Sequence, residues 1–450
     1  MRRLDSATLR SVLGELLVAP PDGDLGAAAG LAAHSDRVRP GDAFVALAGA
    51  RGHGIDYADA ALAAGAAFLI SDRPHPRALL VRDASLALAR LGRHARAQRR
   101  GPVIGVTGSV GKTTTKTLLG AALAAVTSPG NVNTPPALAC VLVDAWLNEA
   151  PERPLVIELG IDHQGEMEQL LDLVRPSHGV LTAIAEVHLE GLGSLEQVAR
   201  EKARLLHAAD VGRYVGEAAW RHLSEAERAA SLRVALGPGV PGGSYRPQQR
   251  TLEARLKGPD GSFERVVLTL PGLGVPLAQG ALLALQVAVD LGIGADTAAA
   301  RLERAQLEPR RLQTHSLGAL TLLDDTYNAS PLSARAAFDV LAQLPPPRAA
   351  VLGDMRELAA YSHAAHVELG QLAAAAGLER VWFVGPESRS AFDAASGVPE
   401  RHHLPDIGAM LAERATLPRR GSLLVKGSRS VGLDRLVDAV LAERREAVAP

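Results

Sequence analysis

The chain of 450 residues is 47% hydrophobic and 22% charged, with 48 Lys and Arg against 49 Asp and Glu and a net charge of -1. It is too long for one ordinary core, too apolar for general disorder, and too evenly charged for a global field that recruits nucleic acid or anionic lipid. A lone cysteine, Cys140, excludes an intrachain disulfide and a thiolate metal site, and the absence of a long apolar run makes a cytoplasmic protein without membrane insertion the expectation. The only lysines are Lys112, Lys116, Lys202, Lys257 and Lys426, all other basic residues being arginine. In such a chain a retained lysine marks a place that favours an amine over a guanidinium fork.

In chain order, the apolar run Ala43–Leu47, a small-residue helix and the run Phe68–Ile70 predict a βαβ unit, so residues 1–83 read as a small N-terminal α/β domain. A helix with a basic face, Leu86–Arg100, carries the chain across residues 84–101 as a linker to Gly101-Pro102. Strand signals at Val103–Val106, Leu155–Leu159, Gly179–Ala183, Arg213–Val215 and Val266–Leu270 alternate with helices, which predicts a central domain over 102–309 built on a mostly parallel sheet. Gly237–Gly243 reads as a turn cluster within it. Four further strands, Leu320–Leu323, Ala349–Leu352, Arg380–Val384 and Ser422–Val425, predict a doubly wound, Rossmann-like terminal domain over 310–450.

The segment Gly105-Val-Thr-Gly-Ser-Val-Gly-Lys-Thr113 joins a buried strand to a helix N-terminus. There, backbone N–H groups and the helix dipole converge on one point and favour phosphate, Lys112 can reach the β- and γ-phosphates, and the Thr113 hydroxyl can ligate magnesium. The strict Gly-x-x-x-x-Gly-Lys-Thr/Ser spacing fails by one residue, because Val106 stands where glycine is required. A hard cation also wants a strand-end carboxylate, and Glu158 occupies such a place. Taken singly, Glu158 suits a surface cap, His188 a structural histidine and Lys202 a solvated helix face.

Taken together, Gly105–Thr114, Glu158, His188-Leu-Glu-Gly-Leu-Gly-Ser194 and Lys202 resemble the ATP-dependent Mur ligases of peptidoglycan synthesis, and the resemblance extends over nearly the whole chain. That family writes its phosphate loop one residue longer than the strict motif, which accounts for Val106. Within the family, Asp324-Asp-Thr-Tyr-Asn-Ala-Ser-Pro331, Val351-Leu-Gly-Asp-Met-Arg-Glu-Leu358 with Ser362 and His366, and Leu424-Val-Lys-Gly-Ser-Arg429 are similar to the branch that adds D-alanyl-D-alanine to UDP-N-acetylmuramoyl-tripeptide. The resemblance implies ATP with two magnesium ions and a monomer that closes around its substrates. It implies a catalytic role for Lys112, His188 and Lys202, with Lys202 carbamylated. ATP would lie against Thr107, Gly108, Ser109, Val110, Gly111, Lys112, Thr113, Thr114, Arg311, Asp325, Tyr327 and Asn328. Metal would be held by Thr113, Glu158, His188 and Lys202, and the other substrates by Ser35, Asn131, Asn133, Lys426, Ser428 and Arg429.

Four places depart from the family pattern. His34-Ser35-Asp36 stands where Asp-Ser-Arg is common, His53-Gly54-Ile55 where Asp-Gly-His is common, and Arg310 where glycine precedes the phosphate-reaching arginine. Thr134 also replaces a usual third asparagine after Asn131 and Asn133. Other readings are a different amide ligase of the superfamily, such as the one that adds the third amino acid or a folylpolyglutamate synthetase, and a nucleotide-binding regulator that has lost ligation.

Overall fold

The computed structural model describes residues 2–18, 25–49, 52–239 and 241–446, in a mixed α/β arrangement of three principal sheets. The first contains β1 (Gly30–Ala32), β2 (Asp42–Ala46), a side ribbon β3 (Ala48–Gly49) with β4 (Gly52–His53), then β5 (Phe68–Ser71) and β6 (Ala78–Leu80). Its four main strands run parallel in the order β1-β2-β5-β6. Strands β2 and β5 are buried along their whole length, which explains their unbroken apolar runs.

The helix expected as a linker spans Ala84–Ala97 and is not a spacer. Its buried stripe of Ala87, Leu88, Leu91 and Ala95 joins one core with residues of both the first and the second sheet. At Gly92 a Cβ would come 2.9 Å from that of Ala139 on the helix Pro135–Asn148, so the two helices meet at a glycine. On that second helix Asp144 accepts from the Leu31 amide of β1 at 2.9 Å, and burial raises its carboxyl to about 6, with the nearby Asp42 carboxylate adding to the shift. Basic residues on the Ala84–Ala97 helix tie it to the central unit: Arg93 pairs with Asp172, and Arg96 donates to the Val174 carbonyl.

The second sheet comprises β7 (Val103–Thr107), β8 (Val126–Thr127), β9 (Leu155–Glu158), β10 (His178–Leu181), β11 (Gly212–Gly216), β12 (Leu232–Leu236), β13 (Gly242–Arg246), β14 (Thr251–Lys257) and β15 (Phe263–Thr269). Its order is β15-β14-β13-β12-β11-β10-β7-β9-β8, and only β14 runs against the others. The sheet is thus mostly parallel, as expected, but larger than the sequence signals indicated. The turn cluster ends in a strand: Gly237 donates to the Gly243 carbonyl at 2.7 Å and β13 begins at Gly242.

The third sheet has six strands where four were expected: β16 (Gln313–Leu317), β17 (Leu320–Asp325), β18 (Arg348–Gly353), β19 (Arg380–Val384), β20 (Glu400–Leu404) and β21 (Gly421–Lys426). The additional β16 and β20 are the two edges of the order β16-β17-β21-β18-β19-β20. Edge strands bury little, and Gln-Thr-His-Ser-Leu and Glu-Arg-His-His-Leu carry no apolar alternation to announce them. Apolar clusters cover both faces of this sheet, one around Phe338, Leu352 and Phe383, the other around Trp382, Val425 and Leu436. No helix among the described residues is long and apolar enough to cross a membrane.

Candidate active site

Strand β7 is buried throughout and delivers the chain to the phosphate loop in the middle of the second sheet. The loop is pinned to the end of the neighbouring β10. Ser109 donates its amide to the Ala183 carbonyl at 2.7 Å, and its hydroxyl bridges the Ala185 amide and carbonyl at 2.9 and 3.0 Å. Thr182 donates to the Val110 carbonyl at 2.6 Å. At Gly108 a Cβ would stand 2.0 Å from the Thr182 hydroxyl, so the close approach of loop and strand requires glycine. Gly111, at φ 83, then caps the helix Lys112–Leu123, whose first amides have no intrahelical partner.

Lys112 is half-buried and donates to the Gly108 carbonyl at 2.8 Å; burial pulls its pKa below the usual lysine range, against the pull of the Glu158 carboxylate. The Thr113 hydroxyl donates to Glu158 Oε2 at 2.8 Å, and both groups are buried. The Lys116 ammonium lies 3.7 Å from the same oxygen and donates to the carbonyl of Gly130. His188 adopts φ 53 before the short helix Leu189–Leu192 and presents Nδ1 3.2 Å from Asp162 Oδ1 and 2.7 Å from Glu357 Oε2. This last contact holds the Glu357 carboxyl below its usual range, its hydrogen bond to His188 being the main cause. Lys202, on the helix Leu195–Ala208, is fully buried rather than on a solvated face, and its ammonium nitrogen has no hydrogen-bond partner among the described residues. Burial, reinforced by the Lys112 charge, drives its pKa well down.

The opposite wall comes from the third sheet. Asp325 and Lys426 are register partners at the ends of β17 and β21, and Lys426 donates to Asp325 Oδ2 at 2.6 Å and to the Asn328 carbonyl at 2.9 Å. Arg311 lies 3.7 Å above the ring centroid of Tyr327, and Arg429 lies 5.9 Å from it. Between the walls is a cavity of about 820 Å³, ample for a nucleotide and part of a second substrate. Ser109 to Thr115, Asn131, Asn133, Glu158, His188, Arg311, Asp325, Tyr327, Asn328 and Lys426 all line it. Arg429 lines a smaller adjoining recess with Thr113, Asn131 and Arg311.

Several expected contacts are displaced. Thr107 is fully buried and gives its hydroxyl to the Leu159 carbonyl at 2.7 Å, so it shapes the loop from beneath and lines no cavity. Ser109 lines the cavity with its hydrogen-bonding groups already committed to Ala183 and Ala185. Ser428 is buried and accepts from the Arg356 amide at 3.0 Å, which makes it a support for that turn. Ser35 sits at the start of a turn in the first sheet's unit and lines neither recess. Lys202 lies behind the cavity wall. Asp162, Lys116 and Glu357 were not singled out from sequence, although Lys116 carried the signal of a retained lysine and Glu357 stands inside the quoted Val351–Leu358 segment.

Family models match the chain as Mur ligase family, catalytic domain over residues 28–93, Mur ligase middle domain over 106–218, and Mur ligase, glutamate ligase domain over 310–429. It is 34% identical to the UDP-N-acetylmuramoyl-tripeptide--D-alanyl-D-alanine ligase of Escherichia coli (strain K12), across 90% of this chain and 92% of that protein. The chain belongs to the Mur ligase family. This Mur ligase also superposes on MurF from Acinetobacter baumannii with a TM-score of 0.82 at 26% identity, over 98% of this chain and 99% of that one. The MurF ligase from Thermotoga maritima in complex with ADP gives 0.75 at 25% identity, over 93% and 98% of the two chains.

Two departures from the family pattern have local compensations. Arg310 takes φ 63, a conformation that favours glycine, while its guanidinium pairs with Asp438 at 3.0 Å. His53, where aspartate is common, caps the following turn with its ring: Nδ1 accepts from the Ile55 amide at 3.1 Å while Nε2 meets Asp72 at 2.8 Å.

Proposed function

We propose that this Mur ligase joins D-alanyl-D-alanine to UDP-N-acetylmuramoyl-tripeptide at the expense of ATP, acting as a cytoplasmic monomer. The observation that carries the reading is the single cavity in which the phosphate loop of the second sheet faces Asp325, Tyr327 and Lys426 of the third. Enzymes named for this reaction, similar over nine-tenths of the chain, support the choice of substrates. In this reading residues 1–83 take the uridine end, with 84–101 joining them to the phosphate-holding unit, 102–309; residues 310–450 complete the nucleotide site.

The residues present fit magnesium: Thr113 and Glu158 offer hard oxygens beside the phosphate loop, and His188 lines the same cavity. Lys202 fits a carbamate, because its buried, partnerless amine is held toward the neutral form that can add carbon dioxide and release a proton. Thr113, Glu158, His188 and carbamylated Lys202 would then hold two ions, which when bound spread and neutralise phosphate charge.

Lys112 and the helix amides hold the β- and γ-phosphates, and Arg311, steadied on Tyr327, supplies a second cation to them. The tripeptide carboxylate oxygen attacks the γ-phosphorus and ADP leaves, so that a poor leaving group becomes an acyl phosphate. The amine of D-alanyl-D-alanine attacks the acyl carbon, and the tetrahedral adduct expels phosphate as the amide forms. Positioning of the reacting groups is the main contribution of the protein.

The test is direct. Purified enzyme with ATP, magnesium and D-alanyl-D-alanine is offered the UDP-linked tripeptide ending in diaminopimelate, lysine or ornithine, and the product is weighed by mass spectrometry. A pentapeptide mass gain matched by ADP release is expected with one of the three. ADP release with no pentapeptide mass from any of the three would sink the reading.

A further inference from the structure

Lys116 is a buried charge that the proposed reaction leaves without a task. It lies one turn beyond Lys112 on the helix that the phosphate loop opens, with 1% of its side chain exposed. Its ammonium stands 3.7 Å from Glu158 Oε2, the oxygen that already accepts the Thr113 hydroxyl, and it donates to the carbonyl of Gly130. Gly130 opens the turn whose following residues Asn131 and Asn133 line the cavity, whereas Lys116 itself does not. The positive charge therefore sits behind the carboxylate and outside the cavity lining.

We propose that Lys116 is a positioning residue that serves as resident counterion to Glu158, moderating the grip of that carboxylate on a divalent cation, and that anchors the Gly130 turn carrying Asn131 and Asn133. The proposal rests on the reading that Thr113 and Glu158 hold magnesium. A fixed ammonium near a cation site opposes the cation by Coulomb repulsion, and the effect is large where water is excluded. A moderated grip suits a site that must release its metal with ADP at every turnover. Because one side chain touches both the carboxylate and the Gly130 turn, the metal side and the substrate side of the cavity share a single brace.

Mn2+ titrated into the full chain with ADP, followed by electron paramagnetic resonance, reads metal binding without turnover. Lys116→Met, and Lys116→Gln whose amide can still donate to Gly130, are expected to bind Mn2+ roughly tenfold tighter than the parent. ADP affinity in EDTA, measured by calorimetry, is expected to stay within about twofold. In steady state Lys116→Met should raise KM for the UDP-linked substrate more than KM for ATP, and Lys116→Gln should raise it less. Unchanged or weaker Mn2+ binding in both variants overturns the proposal, and so does lost ADP affinity in EDTA, which would place the ammonium on a phosphate. Glu158→Gln separates the two levels. If it binds Mn2+ as the parent does, the metal reading falls and the proposal with it; if it binds weakly while both Lys116 variants match the parent, only the proposal falls.

Discussion

Glu357, on the turn after β18 in the third sheet, places Oε2 2.7 Å from Nδ1 of His188 in the unit built on the second sheet. The contact spans the cavity that both units line, so it is sensitive to their separation. Glu357 is held at φ 67, in a region that costs a non-glycine residue energy unless the surroundings impose it. With Glu357 about half exposed, the pair is expected to contribute under about 1 kcal/mol, enough to move an open–closed balance by up to roughly fivefold. Glu357→Gln should therefore increase the radius of gyration of the substrate-free enzyme in small-angle scattering, while ATP analogue plus both substrates still compact it. An identical substrate-free profile would remove Glu357 as a latch, and no compaction with ligands would count against closure itself.

Lys112→Ala should slow phosphate transfer severely with the fold intact, since the loop is pinned to β10 through Ser109 and Thr182 and not through the lysine. A loss on the order of 10²–10³ in kcat is expected for removing one charged donor from the transferring group. Coupled ADP release reads it, and undiminished turnover would separate the loop from catalysis.

Lys202→Arg should be inactive, because a guanidinium cannot accept carbon dioxide and would put an unpaired charge into a fully buried place. Lys202→Ala should also be inactive but partly restored by short carboxylates that occupy the vacated space. Removing bicarbonate from the parent should lower its activity, and full activity in Lys202→Arg would end the carbamate reading.

Asp144 gives a pH dependence whose sign follows from burial. Its folded pKa is raised to about 6 from 3.8, so between those values the folded state holds a proton that the unfolded state has lost. Stability should fall as pH rises through that window and level off above it. Asp144→Asn keeps an oxygen for the Leu31 amide and removes the ionisation, so it should raise stability at pH 7.5 by on the order of 2 kcal/mol and flatten the slope between pH 4 and 6. Thermal unfolding across that range measures it; a steeper slope in the variant would show the sign to be wrong.

The strands that sequence revealed best are those covered on both faces, such as β7, β9 and β18, where continuous burial requires continuous apolar residues. Strands β13, β14, β16 and β20 lack such runs because one side or one edge meets water, and their pairing is decided by partners far away in the chain. The phosphate loop was legible because its chemistry is local, fixed by glycines and by the start of one helix. Residues held by distant contacts were not: nothing around Glu357 in sequence points to His188, and nothing around Lys202 says that its amine is buried without a partner. The displaced assignments share a cause, since a hydroxyl in a binding motif can serve the motif's own backbone, as Thr107 and Ser428 do.

The placement of β21 between β17 and β18 has a consequence for how the protein is made. Until residues 421–426 emerge from the ribosome, β17 and β18 are two exposed ladders with a strand-wide gap between them, and Asp325 waits without its lysine. Every chain stopped short of Gly421 would thus carry a sealed phosphate loop and an unfinished nucleotide wall. Ligase activity would arrive only once β21 has been inserted between its two neighbours.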